Sequence, residues 1–472
     1  MTDSFGIGFT TLDQEIVCDS LPIQGTLPSW LSGMLLRTGP AQFEVGKEHY
    51  RHWFDGLAML HRFSFHEGAV SYANRFLHSK TYQHNMEAGN ITYGEFATDP
   101  CRSIFKRLVT TFTREVSDNA NVNISKLGND FVALTEVPLP VAFDPRTLET
   151  VGVFAFDDTL AGQVTTAHPH YDPHLQAGVN YLAHLSGKSS YNVYANPQGS
   201  KERHLLGTIP TEEPAYMHSF GMTEHYVVLA EYPLMVNPLS MLMSGKPFIE
   251  NYHWKPERGT HFLILDKRDG SLVGRYASEP FFSFHHVNAF EQGDEVVVDL
   301  SAYPDPTIIQ DLYLENLIGP NSRAVSEGEL RRYRIPLHDG AINGYEVLSE
   351  ESFDLPRINY ARANGRDYRF AYGSGRRKET PDDFMNQLVK VDVHMRETQR
   401  WFEEDCYPGE AIFVAAPGAT GEDEGVLLSV VLDGKKGTSF LLVLDGPSFR
   451  ELGRASVPHH MPFSFHGMYS AK

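Results

Sequence analysis

A strand–turn–strand pattern recurs along this chain and constrains its fold more than any other feature. In AFDPRTLETVG, ILDKRDGSLVG, VDVHMRETQRW and VLDGPSFRELG, an apolar strand leads into a polar turn and a second strand follows. The equivalent positions are Asp144, Asp266, His394 and Asp445. Their separations of 122, 128 and 51 residues fit multiples of a unit of about 50–65 residues, so the chain holds about seven units.

This repeat predicts an all-β protein. Short runs rich in Val, Leu, Phe and Tyr alternate with Gly, Asp and Pro turns, as strands do. The best helical candidates are the segments 101–112 and 307–317. Similar hairpins occur in any all-β protein, but the spacing stays near multiples of one length. The sequence therefore predicts a single seven-bladed β-propeller domain over residues 1–472, with the first strand of each blade lining the axis.

Four histidines occupy matching places in the pattern. They are His168 in TTAHPH, His218 in YMHSF, His285 in FFSFHH and His466 in FSFHG. A lone histidine is usually a surface or core residue, but histidines on the first strands of different blades would face one another. Converging neutral imidazoles form a site for a transition metal, and imidazole suits iron, copper, zinc and nickel alike.

Composition and missing motifs narrow the function. Neither HExxH nor G-x-S-x-G occurs, so a metalloprotease or serine hydrolase has no support. The three cysteines are far apart, which excludes a CxxC metal site and fits a reducing compartment. A net charge of −20 argues against nucleic acid as a partner.

The sequence also bears on location. MTDSFGIGFTTLDQEIV lacks the basic and apolar regions of a secretory signal, and no run approaches the ~18 apolar residues of a spanning helix. We expect a cytoplasmic protein that contacts a membrane peripherally.

Several segments together resemble the carotenoid cleavage oxygenases. AHPHYDP, YMHSFGMTEHYVVL, FHHVNAFE and FSFHG carry the resemblance, with HWFDGLAMLHRFSF near the start. DPCRSIFKRLVTTF and FDLPRINYARANGRDYRFAYG are most similar to the animal-type branch, which holds the β-carotene oxygenases and the retinal pigment epithelium isomerohydrolase. The resemblance extends from about residue 20 to the C-terminus. It implies a seven-bladed propeller, with a few helices and loops capping the top face over an axial Fe(II).

The resemblance further implies that His168, His218, His285 and His466 bind Fe(2+), with O2 as co-substrate. Within two pairs a second histidine is available, namely His170 and His286. Either member could bind a metal on chemical grounds, and the family pattern selects the first.

The resemblance also implies three carboxylates, each of which would accept a hydrogen bond from the ring N–H of a histidine that does not face the metal. These are Glu136 for His218, Asp354 for His285 and Glu410 for His466. Relatives usually carry Glu at the position of Asp354, which is one methylene shorter. Either the backbone shifts, or a water bridges, or that histidine is held less firmly. Val122 matches a position that projects a small side chain towards an open coordination site, where it would shape O2 binding.

Two apolar segments are candidates for the mouth of a substrate tunnel at a membrane, although both could instead pack inward. The first presents one apolar helix face and the second is rich in Met. The candidate residues are Ile104, Phe105, Leu108, Val109 and Phe112 in the first segment, and Leu234, Met235, Met241, Leu242 and Met243 in the second.

The sequence predicts a non-haem Fe(II) dioxygenase that cleaves a conjugated double bond of a carotenoid or apocarotenoid to two carbonyl products. Central (15,15′) cleavage of β-carotene to retinal is the most specific prediction. The alternatives are eccentric cleavage, a retinyl-ester isomerohydrolase and a stilbene-cleaving oxygenase, for which Lys126 near Val122 would supply a polar contact. A non-catalytic propeller scaffold is an alternative of a different class.

Overall fold

Strands from the N-terminal and C-terminal parts of the chain pair with each other in the folded protein. The computed structural model describes residues 4–99, 116–319, 322–338 and 341–471. Within them the chain forms seven antiparallel sheets of four to six strands, which are the blades of a β-propeller. Gly467–Ala471 pairs with Gly33–Gln42 in blade 1, and Ile23–Gly25 pairs with Glu451–Ser456 in blade 7. The N-terminal segments thereby close the ring, and the all-β, seven-bladed prediction is confirmed.

The strands of the first four blades follow chain order except where the ring closes. Blade 1 contains Val17–Cys18, Gly33–Gln42, Leu57–His66, Ala69–Phe76 and Gly467–Ala471; blade 2 contains Asn123–Leu127, Asp130–Leu134, Val141–Phe143 and Thr150–Val153; blade 3 contains Val164–Thr165, His170–Asp172, Ala177–His184, Ser189–Pro197 and His204–Thr211; blade 4 contains Gly221–Met222, Tyr226–Glu231, Thr260–Asp266 and Leu272–Ser278.

The other three blades and two small ribbons complete the sheet structure. Blade 5 contains His286–Gln292, Glu295–Ala302, Glu329–Pro336 and Tyr345–Ser352; blade 6 contains Asp354–Arg357, Phe370–Gly375, Gln387–Asp392 and Glu397–Trp401; blade 7 contains Ile23–Gly25, Cys406–Pro408, Ile412–Ala415, Gly425–Asp433, Thr438–Asp445 and Glu451–Ser456; the ribbons pair Glu44–Val45 with Glu48–His49 and Leu234–Val236 with Tyr252–Trp254.

Helices in the described part of the chain are short. The α-helices are Lys80–Ala88, Pro238–Ser244, Thr307–Asp311, Leu314–Leu317 and Tyr360–Ala363, and the 3-10 helices are Ser4–Phe9, Trp53–Asp55, Ile249–Asn251 and Pro256–Arg258. The predicted helix over 307–317 is thus split in two, and the candidate over 101–112 lies outside the described residues. Across the regions that the structure describes, no helix combines the length and apolar character needed to cross a membrane.

The repeated turn has one backbone structure in blades 2, 4, 6 and 7. In each, an Asp at the end of a strand accepts a hydrogen bond from a backbone N–H two or three residues later, and the residue four positions on has φ between 55° and 74°. This is the turn followed by a left-handed residue that joins antiparallel strands. The Asp residues are Asp144, Asp266, Asp392 and Asp445. The sequence comparison chose His394 as the equivalent position in blade 6, and this was wrong by two residues. Asp392 is the equivalent residue, and His394 lies inside the turn.

Buried ion pairs join neighbouring blades. Lys267 of blade 4 contacts the carboxylate of Asp172 in blade 3, and its Nζ also donates to the carbonyl of Thr223 at 2.9 Å. The Lys267 and Asp172 side chains are only 4% and 1% exposed. Removing one partner of such a pair leaves a charge buried without compensation, so loss of either side chain should destabilise the contact between blades 3 and 4.

We predict that Asp172→Asn lowers the free energy of unfolding by about 3 kcal/mol, because Lys267 would lose its counter-charge in a buried position. The matched control is Asp130→Asn, since Asp130 lies 4.0 Å from Lys201 and both side chains are 49% exposed. That control should cost less than about 1 kcal/mol. Chemical denaturation followed by tryptophan fluorescence measures both, and equal losses would contradict the role of the buried pair.

Candidate metal centre

Four histidines from four blades converge on one point. One ring nitrogen from each of His168, His218, His285 and His466 lies within 4.8 Å of the others. The Nε2 atoms of His168 and His218 are 3.1 Å apart, as are those of His285 and His466. The sequence pattern therefore brings together the residues that it singled out.

The propeller places these histidines by a shared local arrangement. His285 and His466 directly precede the strands His286–Gln292 and Gly467–Ala471, and His218 comes shortly before Gly221–Met222. His168 lies in the loop between two short strands of blade 3. The Thr166 hydroxyl accepts a hydrogen bond from the His168 backbone N–H at 3.0 Å and donates to the His218 carbonyl. This hydroxyl ties the loops of blades 3 and 4.

Three of the imidazoles are oriented by carboxylates. Glu136 Oε1 lies 2.7 Å from His218 Nδ1, Asp354 Oδ1 lies 2.6 Å from His285 Nδ1, and Glu410 Oε1 lies 2.7 Å from His466 Nδ1. Since an ionised carboxylate only accepts, each Nδ1 carries the proton and each Nε2 presents its lone pair to the centre. The pairings predicted by the resemblance are present in the structure.

Asp354 reaches His285 directly despite its short side chain. Leu355, the next residue, has φ +48° in the left-handed region, and the strand pairing changes register between Asp354 and Arg357. The backbone at this irregularity brings the carboxylate to His285, and a bridging water is not required. The second oxygen of Asp354 accepts from the hydroxyl of Tyr303 at 2.5 Å.

The carboxylates differ in how their charge is balanced. Glu410 is fully buried and contacts two guanidinium groups, with 3.3 Å to Arg37 and 2.7 Å to Arg357. Burial opposes ionisation of Glu410, yet Arg357 and His466 hold its pKa well below its usual range. Glu136 instead accepts from the hydroxyl of Tyr216 at 2.8 Å.

Burial favours the neutral form of His168, His218 and His466. It lowers the pKa of His168 well below its usual value, lowers that of His218, and lowers that of His466 to about 3. The neighbouring carboxylates act in the opposite direction on His218 and His466, but burial dominates. Neutral imidazole is the form that binds metals.

The donor set fits a divalent transition ion. Two imidazole nitrogens that are each about 2.1 Å from one ion, at a right angle to one another, are about 3.0 Å apart, close to the 3.1 Å seen for two pairs here. Lone pairs facing at this distance repel one another unless a cation lies between them. Imidazole ligands suit iron and other first-row metals.

The competing histidines lie outside this cluster. His170 Nε2 is 2.9 Å from the Phe220 carbonyl, and its Nδ1 is 3.0 Å from the Tyr360 hydroxyl. His286 Nδ1 is 2.9 Å from the Ser219 hydroxyl. The first histidine of each pair is therefore the one placed at the centre.

A cavity lined by three of the histidines, His218, His285 and His466, has mainly apolar walls. Its aromatic residues are Trp53, Phe54, Phe284, Phe465 and Tyr303, and the other residues that surround the histidines and Asp354 are Val122, Ile308, Leu312, Leu355 and Met385. Val122 is among the lining residues, and its predicted role beside an open coordination site stays a prediction. Lys126 does not line this cavity: it is exposed, with its Nζ 4.4 Å from the centre of the Phe131 ring.

Sequence reasoning missed most of these wall residues. Phe284 and Phe465 each precede a site histidine directly, which was a usable signal. Trp53 and Phe54 belong to the HWFDG motif, whose Asp55 accepts from the backbone N–H groups of His52 and Ala97 at 3.2 and 2.9 Å. Those bonds fix the turn that carries the two aromatic rings over the cavity.

The Met-rich segment divides into a buried and an exposed part. Leu234 and Met235 are 5% and 2% exposed, so their assignment to a membrane-facing mouth was wrong. Their strand Leu234–Val236 pairs with Tyr252–Trp254 and belongs to the core. Leu242 and Met243 are 58% and 87% exposed.

The exposed part is a short helix, Pro238–Ser244. Asn237 caps its first turn and Gly245 ends it in the left-handed conformation. Leu239 is 62% exposed and extends the apolar surface of Leu242 and Met243, whereas Met241 packs partly against the core. The other predicted segment, with Ile104, Phe105, Leu108, Val109 and Phe112, lies outside the described residues.

Comparison with known proteins agrees with the fold and identifies the family of the chain. The family model of the retinal pigment epithelial membrane protein matches residues 9–471. A mitochondrial carotenoid-cleaving dioxygenase of Mustela putorius furo is 36% identical, over 98% of this chain and 95% of its own length. A human β,β-carotene 15,15′-dioxygenase is 35% identical, over 95% of this chain and 91% of its own length.

A solved structure is also similar over almost the whole chain. Cobalt-substituted apocarotenoid oxygenase of Synechocystis superposes with a TM-score of 0.89 at 26% identity, covering 99% of this chain and 98% of that one. These matches confirm the family predicted from the sequence motifs. The chain belongs to the retinal pigment epithelial membrane protein and carotenoid oxygenase family.

Proposed function

We propose that His168, His218, His285 and His466 bind a single Fe(II). The observation that carries this proposal is the convergence of their four ring nitrogens within 4.8 Å. Glu136, Asp354 and Glu410 hold three of the rings in the tautomer that presents Nε2 to the ion. Iron bound there would supply the binding and activation of O2.

We further propose that the protein uses O2 to cleave a conjugated double bond of a carotenoid or apocarotenoid. The cavity beside the histidines is lined by aromatic and aliphatic side chains, which suits a long hydrocarbon and excludes water. Val122 and Phe465 are among the residues that would set the position of the bond over the metal. Two carbonyl products account for both atoms of O2.

Central cleavage of β-carotene to retinal is the specific reaction that we propose. The human relative is named for the 15,15′ bond, and it is similar over 95% of this chain. The structure offers no support for a stilbene-cleaving enzyme through Lys126, because that side chain lies outside the cavity. The hydroxyl of Tyr303, which does line the cavity, is already bonded to Asp354.

We predict that His218→Ala abolishes stoichiometric iron binding, because one of four ligands and the partner of Glu136 are removed together. His170→Ala is the matched control, since His170 lies in the next blade but outside the cluster. Metal analysis of both variants after reconstitution with Fe(II) measures the effect. Full iron content in His218→Ala, with loss in His170→Ala, would contradict the assignment.

We predict that the iron-loaded protein converts β-carotene to retinal and that each aldehyde gains one oxygen atom from labelled O2. Chromatography with mass spectrometry, performed quickly to limit exchange with water, measures both. Shorter apocarotenals would indicate eccentric cleavage. Isomerisation without any label in the product would instead favour an isomerohydrolase.

We also propose that the helix Pro238–Ser244 contacts a membrane from which the apolar substrate enters. Leu239, Leu242 and Met243 form an exposed apolar surface, and an apolar surface can insert into a bilayer without basic residues. The relative from Mustela putorius furo is named as mitochondrial, so the cytoplasmic location expected from the sequence stays a prediction.

We predict that Leu242→Glu with Met243→Glu lowers the fraction of protein that sediments with phosphatidylcholine vesicles by about five-fold, since charged side chains are costly to insert. Leu205→Glu is the control, because Leu205 is 50% exposed on the outer strand of blade 3. Equal sedimentation of all three proteins would rule out this helix as the contact.

A further inference from the structure

A second cavity lies between blades 2 and 3. It has a cavity volume of about 30 Å³, which exceeds the ~10–15 Å³ that one water-sized molecule needs. Apolar side chains dominate its walls, among them Leu127, Leu134, Val137, Phe156 and Pro169. None of these residues lines the cavity beside the histidines, so the two spaces are separate.

Most of the polar side chains around this second cavity are hydrogen bonded within the protein. Asn180 Nδ2 donates to the Thr166 carbonyl at 2.9 Å, and Asn196 Nδ2 donates to the Ser200 carbonyl at 3.1 Å. The Arg203 guanidinium donates to Asp158 at 2.7 Å. Among the buried polar atoms that lack a partner in the described residues, none belongs to this lining. A water molecule here would find few partners, so the cavity favours small apolar molecules.

Gly178 creates part of this space. It lies inside the strand Ala177–His184 without a positive φ. A Cβ atom at this position would meet only the Asn196 carbonyl oxygen, at 3.9 Å. Neither backbone conformation nor close packing requires glycine here, and glycine destabilises a strand relative to residues with side chains. The missing side chain leaves the cavity open.

One layer of side chains separates this cavity from the metal centre. Thr135 and Val137, which line it, flank Glu136. Leu134 packs in the same apolar cluster as Ala167 and Val122, and Val122 lines the cavity beside the histidines.

The separating wall is formed by small and apolar groups. The backbone N–H of Val122 donates to the Leu134 carbonyl at 3.0 Å, so the two residues are neighbours across the pair of strands. Ala167 is fully buried and directly precedes His168. Leu134 therefore connects the wall of the second cavity to the residues beside the metal centre, Val122 and Ala167.

We infer that the cavity between blades 2 and 3 binds O2 and delivers it to the metal centre past Val122. The inference rests on the proposed function for the use of O2. O2 is small and apolar, and a cavity with mainly apolar walls favours such a molecule. When a long hydrocarbon fills the cavity beside the histidines, O2 needs a separate route, and this space provides it.

Xenon tests the binding site without any requirement for activity. Crystals of the full chain under xenon pressure should show xenon beside Gly178 and Leu134. Gly178→Leu fills the space and should abolish that peak. Gly187→Leu is the matched control in an exposed turn of the same blade, where an added Cβ meets nothing within 4 Å, and should keep it. Absence of xenon from this cavity in the unmodified protein would overturn the inference.

Oxygen kinetics test delivery. In Gly178→Leu the KM for O2 should rise about five-fold, while the KM for the organic substrate and kcat at saturating O2 stay unchanged. Gly187→Leu should behave as the unmodified protein. If Gly178→Leu does not fold by circular dichroism, Gly178→Val provides a smaller obstruction. An unchanged KM for O2 in a variant that has lost the xenon peak would overturn the proposed delivery of O2 from this cavity to the metal centre. If the unmodified protein consumes no O2, the proposed function is contradicted. The xenon experiment would still show whether the second cavity binds a small apolar molecule.

Discussion

The metal centre depends on hydrogen bonds between buried carboxylates and imidazole Nδ1–H groups. Glu136, Asp354 and Glu410 each accept such a bond at 2.6–2.7 Å. A buried carboxylate is costly unless it is paired and hydrogen bonded. The fold therefore has to supply compensating donors around each carboxylate. Tyrosine and arginine side chains provide them in addition to the histidines.

The closed ring meets that requirement by combining distant segments. His466 and Arg37 lie at opposite ends of the sequence, yet Arg37 is paired with Gly467 in blade 1. The Arg37 guanidinium then reaches Glu410 from blade 7 and the Phe465 carbonyl at 2.8 Å. Closure of blade 1 by both ends of the chain thus positions one histidine, its carboxylate and the counter-charge together. An open array of the same blades would separate them.

Sequence analysis could predict the parts of this arrangement that follow a repeat or a motif. The histidines recur in one pattern, and Glu136 follows the end of an apolar strand. Both can therefore be predicted from the sequence. Arg37 and Tyr303 are not, because nothing local distinguishes a buried arginine or tyrosine from an ordinary one. Their roles arise from contacts across the ring, such as the 2.5 Å bond between Tyr303 and Asp354. The same limit explains why the prediction for Leu234 and Met235 was wrong. Their apolar character fits a surface patch and a buried strand equally well. Only the pairing of their strand with Tyr252–Trp254 shows that they are buried.

The charge balance around the four histidines favours a bound cation. Three carboxylates and the guanidinium groups of Arg37 and Arg357 together carry one net negative charge, since Tyr216 and Tyr303 are neutral donors. Neutral imidazoles alone could not offset the cost of burying a dication. The uncompensated carboxylate charge lies one imidazole ring away from the centre, beyond direct coordination. It would therefore stabilise a bound ion electrostatically without occupying a coordination position.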